Sequence, residues 1–405
     1  MNTSPWLAAA AAAALLGVRR PTLYAYVSRG YVRSQPAPDW TRARRYARED
    51  LERLRRRADE RRDPGKAAAQ ALQWGLPILE SSIALIDGQA LYYRGQEAVA
   101  LARTRSVEEI ASLIWTGRFD TRLAGRPAIV SPAQIVGPGP SFVTRAQSAL
   151  AAAGTDDALG FDLRPDAVAA TGWRILMLLA ATAAACRAQE PAPDRLLAKA
   201  WRVPPRGAGL LRAAIILCAD HELNVSSFTA RCVASAGSSP YGVVMAGLAA
   251  LEGTRHGGMA ARVEAMLASM RRLSPRRALA DRLRRGEAID GFGHPLYRDG
   301  DPRARALLAL LKEQYPSSRE RAFVEDVADA AAAIVRDRPT VDFALAALAR
   351  VLRLPAGAPL ALFAIGRTIG WIGHAIEQYA TGQLIRPRAR YVGTMPTMPA
   401  RPSRS

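Results

Sequence analysis

A chain of 405 residues can bury a large core and divide into two or three domains. Its 49% hydrophobic and 23% charged content is that of an ordinary soluble globular protein. The formal charge of +20 favours polyanions such as nucleic acid or phosphorylated cofactors, yet only Lys66, Lys199 and Lys312 of the 56 basic residues are lysine, an imbalance that coding bias also produces.

Cys186, Cys218 and Cys232 have no paired spacing and sit in apolar helical sequence, which excludes a disulfide framework and predicts buried free thiols in a cytoplasmic, reducing setting. The run LAAAAAAALL after Trp6 has no preceding positive charge and no small-residue cleavage pattern, so it reads as a helix and not a leader. The most apolar stretches, around 173–186 and 354–366, are interrupted by charge or proline, and no membrane span is expected.

Residues 1–66 carry 15 basic and 7 acidic side chains, a net of +8 in one sixth of the chain. Alanine propensity favours a helix from Leu7 to Leu16 stopped by Gly17. Pro21 suits the first position of a second helix, with Leu23, Tyr26 and Val27 on one face. GYVRSQPAPDWTRARRYAREDLERLRRR then reads as a short hairpin with a proline-rich tip returning into a basic helix. Arg55–Lys66 is a charged helix end and linker marked by Pro64 and Gly65. Two short extended or turn pieces surround Asp87 and Gly88, followed by a helix with Val107, Ile110 and Ile114 on one face. Apolar helices are expected at 166–187, 191–202, 207–219, 224–235 and 240–251, and strand-like alternation is nearly absent. The fold class is therefore all-α, and the tail TMPTMPARPSRS reads as disordered.

Chemistry concentrates between residues 251 and 303. Two of the four histidines, His256 and His294, stand beside glycines that permit close backbone approach, with His221 upstream and Asp342 downstream. Arg303, Arg367 and Arg386 follow on separate elements, and together these residues describe a site for a small dianion undergoing proton transfer. Asp342 alone also suits a helix cap before FALAALARVL, and His374 in GWIGHAIEQY reads as a packing residue. A metal site is not expected, because the histidines are 35 to 80 residues apart with no i, i+4 pair.

Two resemblances follow from these motifs. TLYAYVSRGYVR with RRYAREDLERL resembles winged helix-turn-helix DNA-binding domains of the MerR and excisionase type, covering residues 1–58, with 59–66 as linker. That likeness implies a recognition helix bearing Thr22 and Tyr24, and wing residues Arg42, Arg44 and Arg45 on phosphates. A basic appendage used for assembly is the alternative. SSIALIDGQALYYRG, ADHELNVSSFTARCVAS, GTRHGG, GFGHPLYRDGDPR, VDFALAAL and IGRTIGWIGHAIEQY, in that order, resemble citrate synthase and 2-methylcitrate synthase over about 67–393.

The second resemblance implies large and small helical domains, the small one about 256–350, and a homodimer. It implies condensation of acetyl-CoA with oxaloacetate, or of propionyl-CoA in the 2-methylcitrate case, the CoA thioester being substrate and no cofactor being needed. Asp342 would be the base, His256 the enolate donor and His294 the keto-oxygen donor. His221, Arg303, Arg367 and Arg386 would hold the oxo acid, Arg386 reaching the partner's site, and Gly291, Phe292 and Gly293 would approach the CoA adenine. GTRHGGMA departs from the family's GPLHGGAN, placing Arg255 beside the donor. A regulator that binds DNA and uses the synthase-like body as a metabolite sensor is the reading from a different class.

Overall fold

The computed structural model describes residues 5–37, 43–52, 54–55, 79–119, 141–187, 190–270, 274–297, 299–389 and 391–394. Arg42, the 59–66 linker and the tail from 395 onward lie outside the described residues. Contacts divide the chain into two compact units, Met1–Glu80 with Pro387–Ser405, and Ser81–Arg386.

In the first unit, helix Ala9–Leu16 ends at Gly17, whose left-handed backbone (φ 64°) returns its N–H to Ala13 and Ala14, and helix Arg20–Ser28 follows. Strands β1 (Trp6–Ala8), β2 (Ser34–Pro36) and β3 (Arg44–Ala47) form an antiparallel sheet in the order β1-β3-β2. The helix expected from Leu7 thus begins two residues later, because Trp6–Ala8 pair with Arg45–Ala47. A ladder of backbone hydrogen bonds outweighs the small helical preference of one or two terminal residues. Ala12, Leu23, Val32, Tyr46 and Leu51 make the core. Arg33 grips Asp50 with Nε and Nη2 at 2.8 and 3.0 Å, tying the hairpin to the helical stretch after β3.

The second unit begins with β4 (Ala84–Asp87), β5 (Ala90–Tyr93) and β6 (Gln96–Glu97), a meander turning at Gly88. These two short sheets are where the molecule departs from an all-helical chain. The rest of the unit is helical: Pro165–Ala184, Pro193–Ala200, Pro205–Leu217, Val225–Ser235 and Pro240–Leu251 lie within a few residues of the expected spans. Most start at proline, whose fixed φ suits the first turn, and Asn224 and Ser239 cap theirs by accepting from Ser227 and Gly242. Helix Phe142–Asp156 is capped by Ser141, whose side chain accepts from Thr144 N.

Helix Ala358–Thr381 is the axis of this unit, packing against Val225–Ser235, Pro165–Ala184, Pro240–Leu251 and Pro205–Leu217. By length and composition this helix and Pro165–Ala184 could cross a membrane, contrary to the expectation from sequence, because Arg174 and Arg367 lie within continuous helices and Pro359 falls in a first turn. Both are largely buried among other helices. Two glycines set how closely the axis approaches its neighbours: a Cβ on Gly366 would lie 2.4 Å from Ile215 O, and one on Gly370 would lie 2.4 Å from Asp220 Oδ1. That intimacy brings Arg367 against the end of Pro205–Leu217, where its Nε donates to Cys218 O at 2.9 Å.

Candidate active site

Three of the four histidines lie near the guanidiniums of Arg303 and Arg367, and each uses one ring nitrogen to bind the protein. His221 follows Pro205–Leu217 and meets the Tyr297 hydroxyl through Nε2 at 3.0 Å. Its ring stands edge-on to His294 at 5.2 Å between centroids and to Tyr297 at 5.6 Å. His294 accepts a backbone N–H from Leu296 on Nδ1 at 3.2 Å. A nitrogen that accepts cannot carry the proton, so Nε2 of the neutral His294 ring is an N–H donor. His256 lies in the turn before helix Gly258–Ser269, with Nε2 at 2.8 Å from Ser226 Oγ and its ring edge-on to Phe363 at 5.8 Å. Gly257 permits that turn, since a Cβ there would lie 2.5 Å from Leu251 O.

Electrostatics keep these rings uncharged. Burial, then the nearby guanidiniums of Arg303 and Arg367, hold His221 well below the ordinary histidine range. Burial with Arg367 brings His256 down to about 4, and burial with Arg303 brings His294 down to about 4. All three are neutral at pH 7.

Arg367 is completely buried, and beyond the bond from Nε neither Nη1 nor Nη2 has a hydrogen-bond partner among the described residues. Its guanidinium lies 4.8 Å over the Phe363 ring. Arg303, equally enclosed, is half engaged: Nε and Nη2 grip both oxygens of Asp301 at 2.9 and 2.8 Å. Asp301 also caps helix Pro302–Gln314 and accepts Val341 N at 3.1 Å, joining the arginine to the start of helix Val341–Leu352.

Asp342 sits half-buried in the first turn of that helix and not at its N-cap, a position held by Thr340, whose side chain makes no cap hydrogen bond. Burial, opposed by Arg303, pushes its carboxyl up to about 6. Gly291 and Gly293 adopt φ of +84° and +81°, which only glycine takes without strain. Their segment pairs with the chain just before Asp342: Gly293 N donates to Arg338 O at 2.9 Å, and Thr340 N donates to Gly291 O at 2.8 Å. Phe292 packs on Phe343 at 4.9 Å.

Of the residues singled out by sequence, the contacts and charges join His221, His256, His294, Arg303, Arg367 and Asp342, while Arg386 is exposed on the segment after Ala358–Thr381. His374 is buried with Nε2 3.2 Å from Asp220 Oδ1, consistent with packing. Tyr297, Ser226 and Asp301 were not singled out, although each lies inside a quoted motif. Among the described residues no group of three or more His, Cys, Asp or Glu is placed to hold a metal ion.

In the first unit, Arg44 is exposed and donates to Ser34 Oγ from Nε at 3.1 Å. A cavity lined by Arg20, Tyr24, Ser34, Arg44 and Tyr46 puts Arg44 on the side of Tyr24. Arg45 is the next residue of β3 and so points to the opposite face. Thr22 is exposed on helix Arg20–Ser28.

Fold and geometry together define a largely helical protein with a buried cluster of arginines and neutral imidazoles. Residues 142–388 match the family described as citrate synthase, C-terminal domain. The citrate synthase of Haloferax volcanii is 30% identical over 357 residues, covering 79% of this chain and 94% of that protein. A relative from Mycobacterium tuberculosis is 38% identical over 203 residues, and the alignment spans 48% of this chain and about half, 54%, of that relative's length. The crystal structure of citrate synthase from Thermotoga maritima MSB8 superposes with a TM-score of 0.67 at 27% identity, over 80% of this chain and 96% of that one. The chain belongs to the citrate synthase family.

Proposed function

We propose that the unit Ser81–Arg386 condenses acetyl-CoA with oxaloacetate to give citrate and CoA. The observation that carries this reading is Arg367, a buried cation with two donor nitrogens unpartnered beside neutral imidazoles. Buried donors of this kind call for acceptors, and a carboxylate fits that fork bidentately. Arg303 and His221 complete the cradle for the dianion, and Arg386 of a second copy in a homodimer adds to it.

The chemistry then follows from the ring nitrogens. Asp342 takes a proton from the thioester methyl, and the forming enolate oxygen accepts from His256. For Nδ1 of His256 to donate, Ser226 must turn its hydroxyl proton away from Asn224 Oδ1, 2.9 Å off, and toward His256 Nε2, leaving Ser226 Oγ to accept from Trp371 Nε1, 3.3 Å away. The enolate carbon attacks the keto carbon as its oxygen accepts from His294 Nε2–H, and hydrolysis of the thioester releases CoA. Residues about 256–350 form the closing subdomain, and the Gly291–Gly293 turn lies against CoA. Residues 81–386 act in the cytoplasm. Thiol release is expected only when both substrates are present, and His294→Ala should lower kcat by about 10²–10³, as loss of one preorganised donor does. Undiminished turnover in that variant rejects the assignment.

We further propose that the first unit is a winged helix-turn-helix domain that binds DNA. Two helices joined at Gly17, a hairpin and a +8 charge over residues 1–66 support it. Thr22, Tyr24 and Arg44 supply the docking face, while Arg45 lies on the far side of the sheet. Duplex DNA should be retarded in a gel at low salt, with affinity falling steeply as salt rises. Arg44→Ala should weaken binding more than Arg45→Ala, and equal affinity of both variants with wild type removes this reading.

A further inference from the structure

Tyr297 has a position that packing alone does not explain. It is 2% exposed, its ring contacts His294 at 4.9 Å and His221 at 5.6 Å, and its hydroxyl meets His221 Nε2 at 3.0 Å. No other hydrogen bond engages that hydroxyl, and His221 Nδ1 has no protein partner among the described residues. A neutral imidazole has one N–H, so whatever occupies Nε2 decides whether Nδ1 offers a proton or a lone pair.

A lone pair on Nδ1 would repel the carboxylate that Arg303 and Arg367 attract. An imidazolium would offer protons from both nitrogens, but burial and the two guanidiniums oppose that charge. Burial also pushes the Tyr297 hydroxyl up to about 12, so it keeps its proton throughout the neutral range. His294 solves the same problem differently, since a backbone N–H already occupies its Nδ1.

We propose that Tyr297 is a positioning residue that donates its hydroxyl proton to Nε2 of His221 and thereby fixes the tautomer whose Nδ1–H faces the bound oxo acid. This rests on the assignment of His221 to oxaloacetate binding. The role belongs to the hydroxyl, so Tyr297→Phe removes it while keeping the ring packing.

The four histidines make the test direct. In protein labelled with ¹⁵N in the imidazoles, the His221 signals are those lost in His221→Gln. Wild type should show an unprotonated Nε2 and a protonated Nδ1, and Tyr297→Phe should shift protonation toward Nε2. A protonated Nε2 in wild type overturns the proposal, and so does an unchanged tautomer in the variant. In turnover, Tyr297→Phe should raise the KM for oxaloacetate about tenfold, as expected for a weakened bond to a charged group, with kcat changed less than about threefold. An unchanged KM also overturns it. If wild type releases no thiol from acetyl-CoA and oxaloacetate, the synthase assignment fails, while the nitrogen shifts still decide the tautomer.

Discussion

Asp342→Asn is expected to lower kcat by about a thousandfold, within the range that a positioned general base contributes, while oxaloacetate still binds. The same variant should be more stable than wild type without ligand. A carboxyl raised to about 6 holds its proton in the folded protein at pH values where the unfolded chain has lost it. Stability therefore falls as pH rises from about 4 to 6, and above that range the buried carboxylate is a standing cost. Replacing it with a neutral amide should recover on the order of 2 kcal/mol at pH 7, seen as a raised Tm. The paired outcome separates loss of chemistry from loss of fold, and a variant that is both inactive and unstable counts against the role of base. In wild type, kcat/KM should drop through an acid limb near pH 6 as Asp342 takes up a proton, because His256 and His294 stay neutral down to about 4. An acid limb that remains in place in Asp342→Glu and Asp342→Asn alike would assign it to another group.

Arg367→Met should abolish productive oxo-acid binding, raising KM by at least about a hundredfold, since two charge-assisted hydrogen bonds are each worth roughly 1.5–3 kcal/mol. It also removes a buried cation whose Nη1 and Nη2 have no hydrogen-bond partner among the described residues. Exchange of such a group for an apolar side chain of similar length is neutral or stabilising by about 1–4 kcal/mol. Oxaloacetate should therefore raise the Tm of wild type in a concentration-dependent way and leave that of Arg367→Met unmoved. An equal ligand-induced shift in both proteins would place the anion elsewhere.

Much of this site was legible in the linear sequence, because its chemistry rests on rare residues in distinctive surroundings. His221, His256 and His294 each stand in a motif with its own glycine or acid neighbours, and Arg367 lies inside an apolar helix where a charge needs a reason. What sequence could not supply is who holds these groups. Ser226 and Tyr297 look like ordinary polar residues until the chain brings one within 2.8 Å of His256 and the other within 3.0 Å of His221. Asp301 hides in a turn motif, although it occupies half of Arg303 and anchors Val341. The extended start at Trp6 was illegible for a related reason: its partner strand lies nearly forty residues away, and local propensity carries no record of it.

The two hydrogen bonds that stitch Gly291 and Gly293 to Thr340 and Arg338 give the cleft a mechanical property. The loop assigned to the acyl carrier and the peptide leading to the base are bolted together, so neither can travel alone. A displacement of that loop reaches Asp342 across the two peptide bonds that follow Thr340, so under the proposed roles arrival of the thioester and alignment of the proton acceptor would be a single motion.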